Sequence, residues 1–240
     1  MPRALGCIAL LVVALALPRS VAAEWFVDLY AGAAFTEPND HRNRAPVFNL
    51  DVVVFDVTYD DSALIGGRAG YWFDSLSFLG LGLDASHLFG PDIDAQTSSF
   101  QACVASTCFS GPQALQRASL SVTSVSLDLL LRWPLLTSSA FPKGRLQPYV
   151  AVGPALFVAR FHDTSNFSPG GQSDTDSALG VKAAGGLAWQ ITRQLAVFGE
   201  YRFTHFKAEW DFNGGPFGPL SVHAPITTHA VLGGLSIRFP

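Results

Sequence analysis

The chain has 240 residues, of which 49% are hydrophobic and only 14% are charged, and its formal net charge is −4. This balance argues against a nucleic-acid-binding protein, which needs a basic surface. The length allows one large all-β domain.

The first 23 residues have the three parts of a secretory signal peptide. A short positive segment at residues 1–3 precedes an apolar run over residues 4–17, and Val21-Ala22-Ala23 forms a small-residue cleavage site. The run is too short to span a bilayer as a helix. The sequence therefore predicts a signal peptide over residues 1–23, which includes Cys7, and one barrel domain over residues 24–240.

Apolar and polar residues alternate with a period of two through eight segments of the remaining chain. Each segment is long enough to cross a bilayer as a tilted strand, which takes about 9–11 residues, whereas no apolar run reaches the ~18 residues of a membrane helix. The predicted strands cover residues 24–36, 61–73, 76–88, 120–133, 146–161, 178–191, 195–211 and 226–239.

In these segments one face carries bulky apolar residues and the other carries Gly, Ala, Ser and charges. This arrangement is the inverse of a soluble barrel, whose small closed interior would hold the bulky residues. The pattern predicts an all-β fold, an eight-stranded antiparallel up-and-down transmembrane β-barrel. The alternative is a soluble, ligand-holding barrel such as a lipocalin, which would turn Asp84, Asp128, Lys182 and Arg202 to water on the same face as the glycines.

The fifth segment, "QPYVAVGPALFVARF", has two plausible registers. The preferred outward set is Val150, Val152, Leu156 and Val158. Tyr149 and Phe157 favour the opposite register. Because Pro154 cannot donate a hydrogen bond to a neighbouring strand, we expect a β-bulge there.

Short and long connections alternate along the chain. The joins after Phe73 and Ile191 take two or three residues, and the one after Trp133 about a dozen. The longer joins cover residues 37–60, 89–119, 162–177 and 212–225. Short turns on one side and long loops on the other predict an outer-membrane barrel with both termini in the periplasm. Within the first long join, "LDVVVFDVTY" alternates well enough to extend the first hairpin above the membrane.

Aromatic residues fall at the two predicted membrane interfaces, where their rings prefer the headgroup level. The predicted lower girdle consists of Trp25, Tyr71, Phe73, Trp133, Trp189 and Phe239. Phe35, Phe203 and Trp210 fall near the upper rim.

Five segments together resemble a known family. They are "EWFVDLYAGAAF", "ALIGGRAGYWF", "QPYVAVGPAL", "FGEYRFTHF" and "LGGLSIRFP". The chain resembles the eight-stranded outer-membrane β-barrel family related to the OmpA transmembrane domain. The resemblance implies a place in the outer membrane of a Gram-negative bacterium, in contact with lipid and lipopolysaccharide. It also implies insertion by the barrel machinery through the C-terminal strand, here with Pro240 after Phe239, and no peptidoglycan-binding domain.

The predicted inward faces carry four acids and four bases. They are Asp28, Asp84, Asp128 and Glu200, and Arg68, Arg132, Lys182 and Arg202. The interior of an eight-stranded barrel is just wide enough for side chains, and buried charges are tolerated there when they are paired. We therefore expect a salt-bridged, closed interior, in which Glu200 and Arg202 share one face. A small-solute pore lined by these charges is the alternative.

The second long join holds the two remaining cysteines, in "FQACVASTCFSG". In an exported chain Cys103 and Cys108 predict a disulfide that closes a small loop, and two free thiols are the alternative. Exposed loops on a rigid scaffold often carry recognition. The loop over residues 89–119 is therefore the candidate contact surface for an extracellular ligand.

The sequence offers little support for catalysis. His87, His205 and His229 fall on outward faces near the upper rim, and His205 and His229 could approach Thr227, but the His-x-Ser motif of a lipid A deacylase does not occur. No spacing favours a metal site, and no motif favours a cofactor. The sequence predicts a non-enzymatic barrel of the envelope, with a pore or a lipid A modifying enzyme as alternatives.

Overall fold

The computed structural model describes residues 24–93, 95–104, 107–163, 171–213 and 218–239. The predicted signal peptide, Pro240, residues 164–170 of the third long join and residues 214–217 of the fourth lie outside the described residues. Within the described part of the chain, no helix is long and apolar enough to cross a bilayer.

Twelve strands and one short 3-10 helix, Pro46–Phe48 between the second and third strands, make up the described chain. The strands are β1 (Glu24–Thr36), β2 (Asn39–Ala45), β3 (Leu50–Val57), β4 (Ser62–Trp72), β5 (Leu79–Phe89), β6 (Gln96–Val104), β7 (Thr107–Leu115), β8 (Ala118–Arg132), β9 (Leu146–Asp163), β10 (Gln172–Gln190), β11 (Leu195–Asn213) and β12 (Pro219–Phe239).

Eight of these strands form a closed antiparallel ring in the order β1-β4-β5-β8-β9-β10-β11-β12, with β12 paired back to β1. The closing pair runs from Trp25 opposite Phe239 to Thr36 opposite Thr228. Closure leaves no free sheet edge around the ring. The prediction of an all-β, antiparallel, up-and-down barrel is therefore confirmed, and the eight predicted segments coincide with the eight ring strands.

The prediction of eight strands is wrong for the sheet as a whole, because β2, β3, β6 and β7 extend it. These four strands, which we call the upper ribbon, continue from β12 in the order β2-β3-β6-β7. β12 joins the upper ribbon through Ser221–His223, which pair with Arg42–Arg44. Only β3 carries the alternation noted in the sequence. The sequence of β2, "NDHRNRA", is polar except for Ala45, and β7 contains Gly111 and Pro112, so neither strand shows the alternation in its sequence.

The two faces of the ring differ as the sequence indicates. Outward residues such as Leu29, Leu127 and Leu179 are exposed, while the inward face is buried. Inward glycines make room for aromatic rings: a Cβ at Gly234 would lie 2.5 Å from Cζ of Phe198. The glycine-rich inner face therefore lets large interior side chains fit into a narrow ring.

β9 adopts the preferred register. Its predicted outward set is exposed, whereas Tyr149 and Phe157 point inward and are buried. The expected bulge at Pro154 is wrong, because β8 and β9 keep the same register on both sides of it, from Ser126 opposite Ala155 to Leu129 opposite Val152. The proline instead removes local pairing from an otherwise continuous ladder.

β10 and β11 are joined in two different ways. Backbone pairing extends from Gln190 opposite Ala196 up to Gly180 opposite Phe206. Above that point, side chains of β10 take over: Asp176 accepts the N–H of Glu209 at 2.9 Å, and Asp174 accepts that of Asp211 at 2.7 Å. Gln172 accepts the N–H of Asn213 at 2.8 Å. We call this stretch the side-chain seam.

Candidate functional site: the charged barrel interior

The middle of the barrel holds seven buried charged side chains, which we call the central network. They are Asp28, Arg68, Asp84, Asp128, Lys182, Glu200 and Arg202. They come from six of the ring strands. Because inward and outward positions alternate along each strand, these side chains share the interior. The structure thus brings together seven of the eight charges singled out in the sequence.

Arg68 is the centre of the central network. Its guanidinium donates to Glu200 at 2.6 Å and to Asp84 at 3.2 Å, and lies 3.7 Å from Asp28 and 3.8 Å from Asp128. One arginine therefore links carboxylates from four different strands, β1, β5, β8 and β11.

Two further cations complete the central network. Arg202 donates to Glu200 at 2.8 Å, the pair expected from the sequence, and also to Asp84 at 3.2 Å. The ammonium of Lys182 lies 2.6 Å from Asp128 and 3.1 Å from Asp84. Such pairing stabilises one arrangement of the interior side chains. If one partner is removed, the remaining charges stay buried without a counter-charge, which destabilises the fold.

Arg132, the eighth predicted interior charge, lies apart from the central network in a lower cluster near the chain termini. Its guanidinium donates to Glu24 at 2.7 Å and stacks over the ring of Trp72 at 4.2 Å. Arg238 donates to the same Glu24 at 3.1 Å and to Gln147 at 2.6 Å. Sequence reasoning missed Glu24 and Arg238 as site residues, although both lie at inward positions of terminal strands.

Glu24 and Arg238 also balance the interior charge. With them, the described residues buried inside the ring comprise five acids and five bases, each set the four predicted ones plus one. Two buried tyrosines, Tyr30 and Tyr149, donate to Asp84 at 2.9 Å and to Glu200 at 2.8 Å. The interior is therefore neutral in formal charge, and hydrogen bonds join most of its charged groups, whereas Lys182 and Asp128 meet as an ion pair alone.

Above the central network, aromatic and aliphatic side chains fill the barrel in an upper apolar layer. Phe157 and Phe206 stack with ring centroids 4.3 Å apart, and Phe161 packs against Trp210 at 5.0 Å. Trp210, which the sequence placed at the upper rim, points inward, is fully buried and donates to the carbonyl oxygen of Ala159 at 3.0 Å. Val54, Val57 and Ile93 join this layer from above.

Outside the ring, the six predicted girdle residues lie at the end that holds the chain termini. Trp25 and Trp133 are more than half exposed. Trp25 packs against Tyr71 with centroids 5.0 Å apart, and Tyr71 against Phe73 at 5.5 Å. Trp25 is paired with Phe239 across the closing strands, and the guanidinium of Arg145 lies over Trp189.

The outward histidines bind neighbouring side chains. His205 lies 2.9 Å from the hydroxyl of Thr227, and His87 2.8 Å from that of Thr123. His229 does not approach Thr227. It lies between the hydroxyl of Tyr201 and the carboxylate of Glu37, with its Nε2 2.8 Å from the latter. Among the described residues, no group of three or more His, Cys, Asp or Glu side chains could hold a metal ion.

The upper ribbon contains the two cysteines. Cys103 of β6 and Cys108 of β7 are directly paired across the strands and joined by a disulfide. β7 ends the described sheet, so its outer edge has no strand beside it. Phe109, next to the disulfide, is about half exposed at 55%. This hairpin is the part of the described chain that extends farthest along the sheet from the ring.

Replacing Cys103 and Cys108 with serine is expected to loosen this hairpin alone. A disulfide stabilises by restricting the unfolded chain, here by about 2 kcal/mol for a short loop. Limited proteolysis should cut the variant within residues 101–112 several times faster than the wild type. The heat-dependent gel mobility of the ring should stay the same, and a shift in that mobility would contradict a local role.

His41 of β2 is buried in the upper ribbon, where its Nε2 lies 2.7 Å from the hydroxyl of Tyr59. Tyr59 in turn donates to Asn39 at 3.1 Å, so its oxygen is left to accept from His41. Burial lowers the pKa of His41 from its usual 6.5 to about 4, and the neighbouring Asp40 opposes this only in part.

The stability of the upper ribbon is therefore expected to fall below pH 6.5. Between pH 6.5 and 4 the unfolded segment binds a proton that the folded segment excludes, which costs about 2 kcal/mol at pH 5 relative to pH 7. Hydrogen exchange of the β2 and β3 amides, corrected for intrinsic rates, measures this. His41→Gln should abolish the pH dependence, and an equal dependence in both proteins would assign it to another group.

The model of the outer membrane protein beta-barrel domain family matches residues 7–239. OprG from Pseudomonas aeruginosa is 13% identical, with a TM-score of 0.57 over 91% of this chain and 96% of that one. Neisserial surface protein A is 11% identical, with a TM-score of 0.51 over 91% and 99%. At such low identity, these two TM-scores show a shared fold and nothing further.

A third solved structure, the outer membrane protease OmpT from Escherichia coli, is 8% identical with a TM-score of 0.46 over 92% of this chain and 99% of that one. No curated protein matches the chain. The family match covers nearly the whole chain and confirms the resemblance stated from the sequence. The chain belongs to the outer membrane protein β-barrel family, and its place is the outer membrane of a Gram-negative bacterium.

Proposed function

We propose that this chain is a non-enzymatic barrel in which the eight ring strands cross the outer membrane, the interior is closed, and the upper ribbon is displayed outside the cell. The observation that carries the proposal is the double obstruction of the ring. The central network blocks its middle with side chains that are almost completely buried, and the upper apolar layer blocks the level above. A ring of eight strands has no further width for a channel.

The outer surface supports the membrane part of the proposal. Outward leucines and valines form an apolar band, and the lower aromatic girdle lies at one end of it. These surfaces fit contact with lipid and lipopolysaccharide. β12, the C-terminal strand, closes the ring against β1, so we infer that it is the strand through which the insertion machinery acts.

Single-channel recording in a planar bilayer tests the closed interior. The refolded protein, shown to be inserted by its heat-dependent gel mobility, should give no discrete conductance steps. A variant that removes one large side chain from each obstruction, Arg202→Ser with Trp210→Ala, serves as the comparison once the same gel mobility shows that it is inserted. Reproducible steps from the wild type would replace the proposal with the small-solute pore.

The upper ribbon is the surface through which we expect the barrel to meet an extracellular ligand. Its hairpin combines β7, the last strand of the described sheet, with an exposed Phe109, and a disulfide joins its two strands. Deleting Gln101–Pro112 should abolish binding of cells to that ligand, while the serine variant of both cysteines should only weaken it. Unchanged binding after the deletion would remove support for this surface.

A further inference from the structure

The interior of the ring contains a small cavity at the level where the lower cluster meets the central network. About 20 Å³ of this cavity is open to the centre of a water molecule. Asp28 and Arg68 of the central network contribute to its wall, as do Gln147 and Arg238 of the lower cluster. Aromatic and aliphatic side chains form much of the rest. The cavity is therefore a small, partly polar site inside the ring.

Asp28 contributes a buried acceptor to this wall. The residue is 6% exposed, and its Oδ2 lies 3.7 Å from the guanidinium of Arg68. Among the described residues, none donates a hydrogen bond to its Oδ1. A buried carboxylate oxygen without a donor has lost its hydration and gained no bond in exchange, which destabilises the fold. A ligand that donates to Oδ1 removes this cost.

Arg238 contributes a buried donor to the same wall. It is likewise 6% exposed, and its Nη1 donates to Glu24 at 3.1 Å and to Gln147 at 2.6 Å. No described residue accepts a hydrogen bond from its Nε. Arg238 is the next inward residue of β12 after Ser236, which is paired with Asp28 across the closing strands. The unpartnered donor and the unpartnered acceptor thus belong to diagonal neighbours that line one cavity.

We propose that this cavity binds one water molecule, which accepts from Nε of Arg238 and donates to Oδ1 of Asp28. A water needs about 10–15 Å³ of such space, so the volume suits a single molecule. Ser236 also lines the cavity, and its hydroxyl can accept the second proton. The water then makes about three hydrogen bonds, as is typical of buried water. An ion fits less well, because Asp28 repels an anion while Arg68 and Arg238 repel a cation.

The water links the two groups of interior charges. It connects Glu24, through Arg238, to Asp28 and so to Arg68. A hydrogen bond mediated by an ordered water is nearly as favourable as a direct one. The lower cluster and the central network then act as one connected set of charges.

Contacts between water and the Nε protons of arginines test the site in the refolded barrel in detergent micelles. With isotope-labelled arginine, a rotating-frame Overhauser spectrum should show a cross-peak between water and the Nε proton of Arg238, opposite in sign to the diagonal. Direct exchange of that proton with water gives a peak of the same sign as the diagonal. Arg132 and Arg202 are internal controls without the expected cross-peak, because their Nε groups donate to Ser77 at 2.8 Å and to Glu200 at 3.0 Å.

Ala188→Val is designed to displace the water. Ala188 lines the cavity, and the larger side chain of valine occupies its volume, so the cross-peak of Arg238 should disappear. Ala184→Val is the matched control, since Ala184 is a buried, inward residue of the same strand outside the cavity lining. This control should keep the cross-peak. The heat-dependent gel mobility shows whether each variant is folded.

Ser236→Ala distinguishes a bound water from the serine hydroxyl as the source of the cross-peak. A peak relayed through the exchanging hydroxyl of Ser236 would vanish in this variant and overturn the proposal, whereas a peak from a bound water stays. The proposal also fails if the wild type shows no cross-peak at Arg238, if Arg132 and Arg202 show equal ones, or if the peak survives in folded Ala188→Val. If Ala188→Val does not fold, the wild-type and Ser236→Ala spectra decide.

Discussion

Replacement of Arg68 with methionine is expected to lower the free energy of unfolding by about 3–5 kcal/mol. The substitution removes the cation that four carboxylates share and leaves Glu200, Asp28 and their neighbours buried with less compensation. Methionine matches much of the side-chain length, so the cost reflects charge more than volume. Urea titration in phospholipid vesicles, followed by tryptophan fluorescence, measures the change.

Two further variants separate charge pairing from general damage. Arg44→Met removes an exposed arginine of the upper ribbon and should change stability by less than about 1 kcal/mol. Adding Glu200→Gln to Arg68→Met should restore part of the loss, because it removes one of the buried carboxylates that lose a cation partner. If the loss of stability in the double variant equals the sum of the losses in the two single variants, Arg68 and Glu200 act independently.

Trp210→Ala is expected to cost about 3–5 kcal/mol, through the cavity that it leaves in the upper apolar layer. The indole is fully buried, packs against Phe161 and anchors β11 to the carbonyl oxygen of Ala159 on β9. Because only β10 lies between β9 and β11 in the ring, Trp210 ties together the two strands that flank β10. The same urea titration measures the loss.

Trp210→Phe is the matched control for that variant. It keeps an aromatic ring in the layer and removes the hydrogen bond from the indole, so it should cost about 1–2 kcal/mol. If alanine and phenylalanine cost the same, the hydrogen bond and not the packing would carry the effect.

Much of the fold follows from the sequence because two-sided alternation is a strong constraint. A strand between lipid and a narrow interior must place Leu127 outward and Asp128 inward, and a slip of one residue would reverse both. The ring strands could therefore be placed to within three residues at their lower ends, whereas β10 and β12 begin six and seven residues before the predicted positions 178 and 226. The strands of the upper ribbon meet water on much of their surface, so β2 and β7 lack that constraint and were missed.

The interior site could be predicted as a set of residues but not as a set of partners. Inward positions identify which charges share the interior. They do not give the level of each residue along the barrel axis. That level places Arg132 beside Glu24 and away from Asp128. The inward side of Trp210 follows from the alternation that it shares with Glu200 and Arg202 on β11, but its contacts with Phe161 and Ala159 on β9 depend on those levels.

In the side-chain seam, hydrogen bonds to side chains fix the register of β10 against β11, in addition to the alternation of inward and outward residues. Gln172, Asp174 and Asp176 recur at every second residue and reach across to backbone amides, while Ser173 and Thr175 between them face away. A slip by one position would offer the amides of β11 short hydroxyl side chains in place of these longer acceptors. In the seam, side-chain acceptors thus align the two strands, whereas backbone hydrogen bonds align the strands elsewhere in the barrel wall.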